Sequence, residues 1–85
     1  MATNSAALIM SIISQIEACD FERLYEIEQQ AHLVPWSFGT LKNNQGERYL
    51  NLKLIENNQI IGFAICQTVL DEATLFNIAI VPSHQ

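Results

Sequence analysis

The chain has 85 residues, 49% apolar and 15% charged, which suits one small globular core and excludes disorder. Nine acidic residues against four basic ones leave a net charge of −5, which excludes a general nucleic-acid binder with its basic footprint. No apolar run reaches the ~18 residues of a membrane span, and Ala6–Met10 is too short and lacks the preceding basic residue of a signal peptide. No direct nucleic-acid or membrane partner is therefore expected, and the cytoplasm is the expected compartment.

Met1–Ile9 shows little pattern, and Met10 stands just before the first patterned segment. Residues 1–9 read as an amino-terminal extension, residues 10–85 as one domain. Ser11–Glu17 carries Ile12, Ile13 and Ile16 among polar residues, a short strand. Asp20 occupies an N-cap position, and Phe21, Leu24, Ile27 and Ala31 follow at helical spacing across Phe21–His32. The other side of that helix carries Glu22, Glu26 and Glu28 beside Arg23. It reads as a solvated face, with a surface for a basic partner as the alternative.

Pro35 pushes Val34 toward extended geometry, and Ser37 can cap a second helix running to about Asn43. Trp36, the only tryptophan, falls between the helices; it reads as a loop anchor or as the wall of a binding site. Asn43–Glu47 is a polar connection. Tyr49–Ile55 alternates, with Leu50, Leu52 and Leu54 on one face and Asn51 and Lys53 on the other. Asn57-Asn58 suits a two-residue turn at positive φ, and Gln59–Leu70 resumes as a strand. Gly62 inside it suits a bulge or the close approach of another group. Asp71-Glu72 is expected to turn the chain into Thr74–Val81.

Thr74–Val81 is the longest apolar run of strand-forming residues, and Asn77 is its only strongly polar interruption. Leu75, Ala79 and Val81 are expected on one side, Phe76, Ile78 and Ile80 on the other. A strand apolar on both sides belongs in the middle of a sheet. Pro82 ends it. The expected order is strand, helix, helix, then a three-strand antiparallel meander, an α+β fold.

Residue chemistry by itself adds little. Cys19 and Cys66 have no Cys-x-x-Cys spacing and read as reduced, buried thiols rather than a disulfide or zinc site. His32 and His84 lack a second ligand at a metal spacing, so no metal is expected. The three glycines are scattered and form no phosphate loop.

Four segments carry a resemblance: Glu28-Gln-Gln-Ala-His32, Pro35-Trp36-Ser37, Asn44-Gln-Gly-Glu-Arg-Tyr-Leu-Asn51, and Leu70-Asp-Glu-Ala-Thr-Leu-Phe-Asn-Ile-Ala79. Together they resemble the first half of the bacterial ribosomal-protein-alanine N-acetyltransferases, members of the GNAT superfamily. The resemblance implies a truncated GNAT acyltransferase fold with Thr74–Val81 as its fourth strand. It implies that the backbone at Ile78, Ala79 and Ile80 pairs with the pantetheine arm of acetyl-CoA. An amide there can polarise the thioester carbonyl. The turn at Pro35-Trp36-Ser37 would help form the acceptor groove, with Trp36 contacting the substrate. The implied acceptor is the alanine-first, basic amino-terminal tail of a ribosomal protein.

The family's pyrophosphate loop, Gln/Arg-x-x-Gly-x-Gly/Ala, begins just after this strand, and Gln85 matches its first position. No catalytic residue is carried over, because the matching positions lie beyond Gln85. The implied function is an N-acetyltransferase whose second half is supplied elsewhere. The alternatives are a non-catalytic remnant that binds a partner, and a GNAT enzyme with another amine acceptor. The outer edge of Thr74–Val81 would then be open, which predicts self-association through that edge.

Overall fold

The computed structural model describes residues 11–85, so the readings of Met1–Ile9 and Met10 lie outside the described residues. The elements follow the expected order: β1 (Ser11–Gln15), α1 (Phe21–Ala31), α2 (Phe38–Asn43), β2 (Tyr49–Glu56), β3 (Gln59–Val69) and β4 (Glu72–Ile80). The four strands form one antiparallel sheet in the order β1-β2-β3-β4. Ser37 caps α2 as its position suggests, its hydroxyl accepting the Thr40 N–H at 3.1 Å.

The turns obey backbone chemistry. Asn57 and Asn58 both take positive φ, 52° and 66°, which closes the β2–β3 hairpin with the twist that strands prefer. The β3–β4 turn sits earlier than expected. Leu70, at φ 54° and fully exposed, and Asp71 make the turn, and Glu72 already belongs to β4. Gly62 meets both of its expected conditions. The β2–β3 register shifts beside it, and an added Cβ would run into Ile80 Cδ1 and come within 3.0 Å of the Ala79 carbonyl oxygen.

The sheet has two unlike faces. Helix α1 lies against β3 and β4 and buries Phe21, Leu24 and Ile27 on Ile61, Phe63, Ile65, Ala79 and Val81. Residues directly opposite in a ladder share a face. Lys53 pairs with Phe63 and Asn51 with Ile65, so the polar row of β2 faces the helices. Leu50, Leu52 and Leu54 fall on the other face with Ala64, Ile78 and Ile80, where Ile13 also lines a shallow apolar depression.

β4 departs from its expected side-chain sets and from its expected place. A register shift between Ile65 and Cys66 sets Leu75, rather than Phe76, opposite Cys66. Leu75 therefore leaves the side shared by Ala79 and Val81. Leu75, Phe76 and Ile78 are exposed. The strand forms the rim of the described sheet, with the open outer edge that the resemblance implied rather than the middle place that its composition suggested, and it is covered on one face only.

Burying a lysine requires partners. Lys53 Nζ lies 2.6 Å from Asp20 Oδ2 and 3.1 Å from Glu17 Oε2, and Asp20 Oδ2 also accepts the Glu17 N–H at 2.7 Å. Asp20 is thus not the side-chain cap of α1. It sits at the N-cap but turns back to brace Glu17 and Lys53. Burial pushes its carboxyl up, yet hydrogen bonds from Lys53 and Glu17, with the lysine's charge, leave it below its ordinary value. Lys53 is held above its ordinary value by the hydrogen bond to Asp20, against the opposing effect of burial and with help from Glu17.

The signs follow from linkage. A carboxyl made more acidic by folding adds stability above its unfolded pKa of ~3.9 and loses it as pH falls through the folded value. A lysine raised by folding adds stability below ~10.4 and loses it as pH rises through the folded value. Urea unfolding across pH should therefore show falls at both extremes. Lys53→Met should cost about 3 kcal/mol or more at neutral pH, because it strands a buried carboxylate, and should abolish the alkaline fall attributable to Lys53.

Candidate functional site

The last turn of α1, the turn after it and the middle of β4 meet at one carboxylate. Glu28 follows Leu24 by four residues, which places it on the buried stripe, and it is only 1% exposed. The expectation of a solvated Glu28 is therefore wrong, although Glu22 and Glu26 are exposed as expected. A buried carboxylate needs donors, and Glu28 has them. Oε2 accepts the Trp36 N–H at 2.9 Å and Oε1 accepts Asn77 Nδ2 at 2.9 Å. The chain between the helices is thereby tied to the middle of β4.

His32, at the end of α1, extends the cluster. Its Nε2 lies 3.0 Å from Asn77 Oδ1, 3.1 Å from the Ile78 carbonyl oxygen and 3.5 Å from Glu28 Oε1. Sequence reasoning gave His32 no role beyond that of an isolated histidine. The available signal was Asn77, a lone strongly polar residue in an apolar strand, which required a partner once that strand was buried on one face.

The ladder fixes which main-chain groups of β4 are free. Val81 N–H donates to the Ile61 carbonyl at 2.8 Å, and Phe63 and Ile65 pair with Ala79 and Asn77. Alternation then turns the Asn77 and Ala79 groups toward β3 and the Ile78 and Ile80 groups toward the open edge. Side-chain contacts agree: the Ile78 carbonyl faces His32 Nε2, and the Ile80 carbonyl accepts Gln85 Nε2 at 2.8 Å. The three residues expected to meet a cofactor are thus not equivalent. Ala79 is buried with its side chain in the core, while Ile78 and Ile80 offer main-chain groups outward.

Trp36 is half-buried against the core and its N–H is taken by Glu28, as a loop anchor would be. Leu33 and Val34, just before it, are exposed. Neither thiol is in a disulfide; Cys66 is half-buried, but Cys19 is exposed, contrary to expectation. Among the described residues no group of three His, Cys, Asp or Glu side chains could hold a metal ion, and no helix is long and apolar enough to cross a membrane.

Comparison with known proteins confirms the resemblance. The chain is 96% identical over 76 residues to the [ribosomal protein bS18]-alanine N-acetyltransferase of Haemophilus influenzae, covering 89% of this chain and 52% of that one. It is 55% identical over 76 residues to the protein of that name from Escherichia coli K12, covering 51% of it. The crystal structure of the ribosomal-protein-S18-alanine N-acetyltransferase from Escherichia coli superposes with a TM-score of 0.86 at 55% identity, over 89% of this chain and 49% of that one. No family model matches. Over the matched residues the chain is similar in sequence and structure to these acetyltransferases, it has a truncated GNAT fold, and it spans about half the length of the curated relatives it matches.

The Glu28 cluster makes a stability prediction. Glu28→Leu leaves the Trp36 N–H and the Asn77 amide without their acceptor and should cost about 2–4 kcal/mol in urea unfolding. Glu28→Gln keeps one acceptor oxygen but turns an amide donor toward another donor, and should fall between the two. Wild-type stability in Glu28→Leu would show that the turn is held to β4 by something else.

Proposed function

We infer that this sequence serves acetyl transfer from acetyl-CoA to the amino-terminal alanine of a small-subunit ribosomal protein, as part of an acetyltransferase of the matched kind. The observation that carries the reading is the outward-facing main chain of Ile78 and Ile80 beside the turn held by Glu28. An extended ligand with amide groups fits such an edge as an added strand does. The arm of acetyl-CoA is a ligand of that kind, and when bound it supplies the activated acetyl group.

The chain's own part is to position. Ile78 and Ile80 offer the main-chain contacts, and the Ile78 carbonyl borders the His32 cluster. Ala79 packs into the core and holds the strand in register. The turn from His32 to Ser37, with exposed Leu33 and Val34 and with Trp36 anchored behind them, forms the acceptor side. The net charge of −5 favours the basic tail of a ribosomal protein over an acidic one. The reading places the protein in the cytoplasm with its substrate.

The 85 residues by themselves should not transfer acetyl, since the phosphate-binding loop and proton-transfer groups implied by the family are not carried by residues 11–85. Joined to the remaining half of the Haemophilus influenzae relative, they should acetylate an alanine-first basic peptide, read by mass spectrometry of the peptide amino terminus. In that chimera Ile78→Pro removes an outward N–H while sparing the ladder to β3, and should abolish transfer at small cost in stability. Transfer unaffected by Ile78→Pro would discard the edge as the cofactor site. Transfer to other amines, but not to the alanine-first peptide, would favour a different acceptor.

A second reading rests on the same rim. Among the described residues no strand pairs with the outer edge of β4, and an edge of that kind flanked by exposed Leu75, Phe76 and Ile78 is a template for a second copy of the chain. Sedimentation of the 85-residue chain should show concentration-dependent association, and Ile78→Lys should raise the monomer fraction. A monomer at every concentration would exclude pairing through β4.

A further inference from the structure

Three acceptors converge on one nitrogen of His32: Asn77 Oδ1 at 3.0 Å, the Ile78 carbonyl oxygen at 3.1 Å and Glu28 Oε1 at 3.5 Å. Asn77 cannot present its amide nitrogen there instead. Its Nδ2 is already committed to the Glu28 carboxylate at 2.9 Å, and exchanging the two ends would lose that bond and set the amide oxygen against the carboxylate oxygen. A nitrogen faced only by acceptors must carry the hydrogen. Neutral imidazole has one N–H, so when it sits on Nε2 the lone pair is on Nδ1.

No described residue pairs with His32 Nδ1, and the side chain is 37% exposed at the junction of the α1–α2 turn and the open edge of β4. A base held in one tautomer by a buried carboxylate and an amide, with its other nitrogen unpaired among the described residues and its side chain partly exposed, is an arrangement that can accept a hydrogen bond from a ligand.

We propose that His32 Nδ1 is a recognition site for a primary ammonium group, accepting one of its N–H bonds. This rests on the acetyl-transfer reading only in naming the ammonium as that of the acceptor alanine. Glu28 and Asn77 are positioning residues here; the ligand contact belongs to His32.

The test is long-range proton–nitrogen NMR of the 85-residue chain labelled at histidine nitrogen. The spectrum should show the Nε2–H tautomer for His32 with Nδ1 unprotonated; an Nδ1–H tautomer overturns the proposal at once. Alanine amide is then titrated against N-acetylalanine amide, which lacks the ammonium. Alanine amide should move the Nδ1 resonance saturably and the acetylated form should not. His32→Leu should weaken alanine amide binding about tenfold or more, as expected for a lost hydrogen bond to a charged group. An unmoved Nδ1, or an equal response to both ligands, overturns the proposal.

The two readings fail separately. Peptide acetylation by the chimera with an unmoved Nδ1 would remove this site and leave the function. A saturable, ammonium-specific response without transfer would keep the site and remove the function.

Discussion

The architecture of the site depends on one buried charge. Glu28 is nearly inaccessible, yet its two oxygens reach donors eight and forty-nine residues away, the Trp36 N–H and the Asn77 side chain. Removing either donor would leave one buried carboxylate oxygen short of its hydrogen bond, which costs about 1–3 kcal/mol or more. The helix, the turn and the strand are therefore held in one relative arrangement by a group that none can spare. An apolar residue at this position could fill the space and would leave the turn free to slide along β4.

The same logic explains the sidedness of the sheet. In β2 a row of leucines alternates with Asn51 and Lys53, and an apolar-inward rule would put the leucines under the helices. The fold does the reverse. Lys53 is satisfied by Asp20 and Glu17, while Asn51 donates to the Asn44 carbonyl at 2.7 Å and accepts the Cys66 N–H at 3.1 Å. Each buried polar group is paired, so its burial costs little, and its hydrogen bonds fix the chain segments before β2 and α1 against the sheet. The leucines are left on a face that the described residues do not cover.

Much of this order was legible in the sequence, because it rests on local signals. The α1 stripe, the Ser37 cap, the paired asparagines of the hairpin and the breaks at Pro35 and Pro82 are decided by neighbours within a turn. What was not legible depends on distant partners. Glu28 looked like one more acid on a wet face because its donors come from another turn and another strand. Leu75 changed sides because of a register shift at Cys66, which no period of two can anticipate. Of the candidate site, Ile78, Ala79 and Ile80 came from family resemblance, Trp36 from its place between the helices as well as from resemblance, and the bonding role of His32 from neither source.

The edge of β4 shows why resemblance names a stretch where geometry names atoms. A strand at a sheet rim offers every second residue's N–H and C=O to a ligand and commits the rest to its neighbour. Ala79 sits in the middle of the expected cofactor segment, yet its main chain belongs to β3 and its side chain to the core. Ile78 and Ile80 hold the outward groups, and the chain already directs a side-chain donor to each of their carbonyls, from His32 and from Gln85. Those donors mark the two places where an incoming amide could bond. A ligand that takes the Ile78 carbonyl must share it with the imidazole, so the proposed cofactor edge and the proposed acceptor turn would be coupled through one oxygen atom.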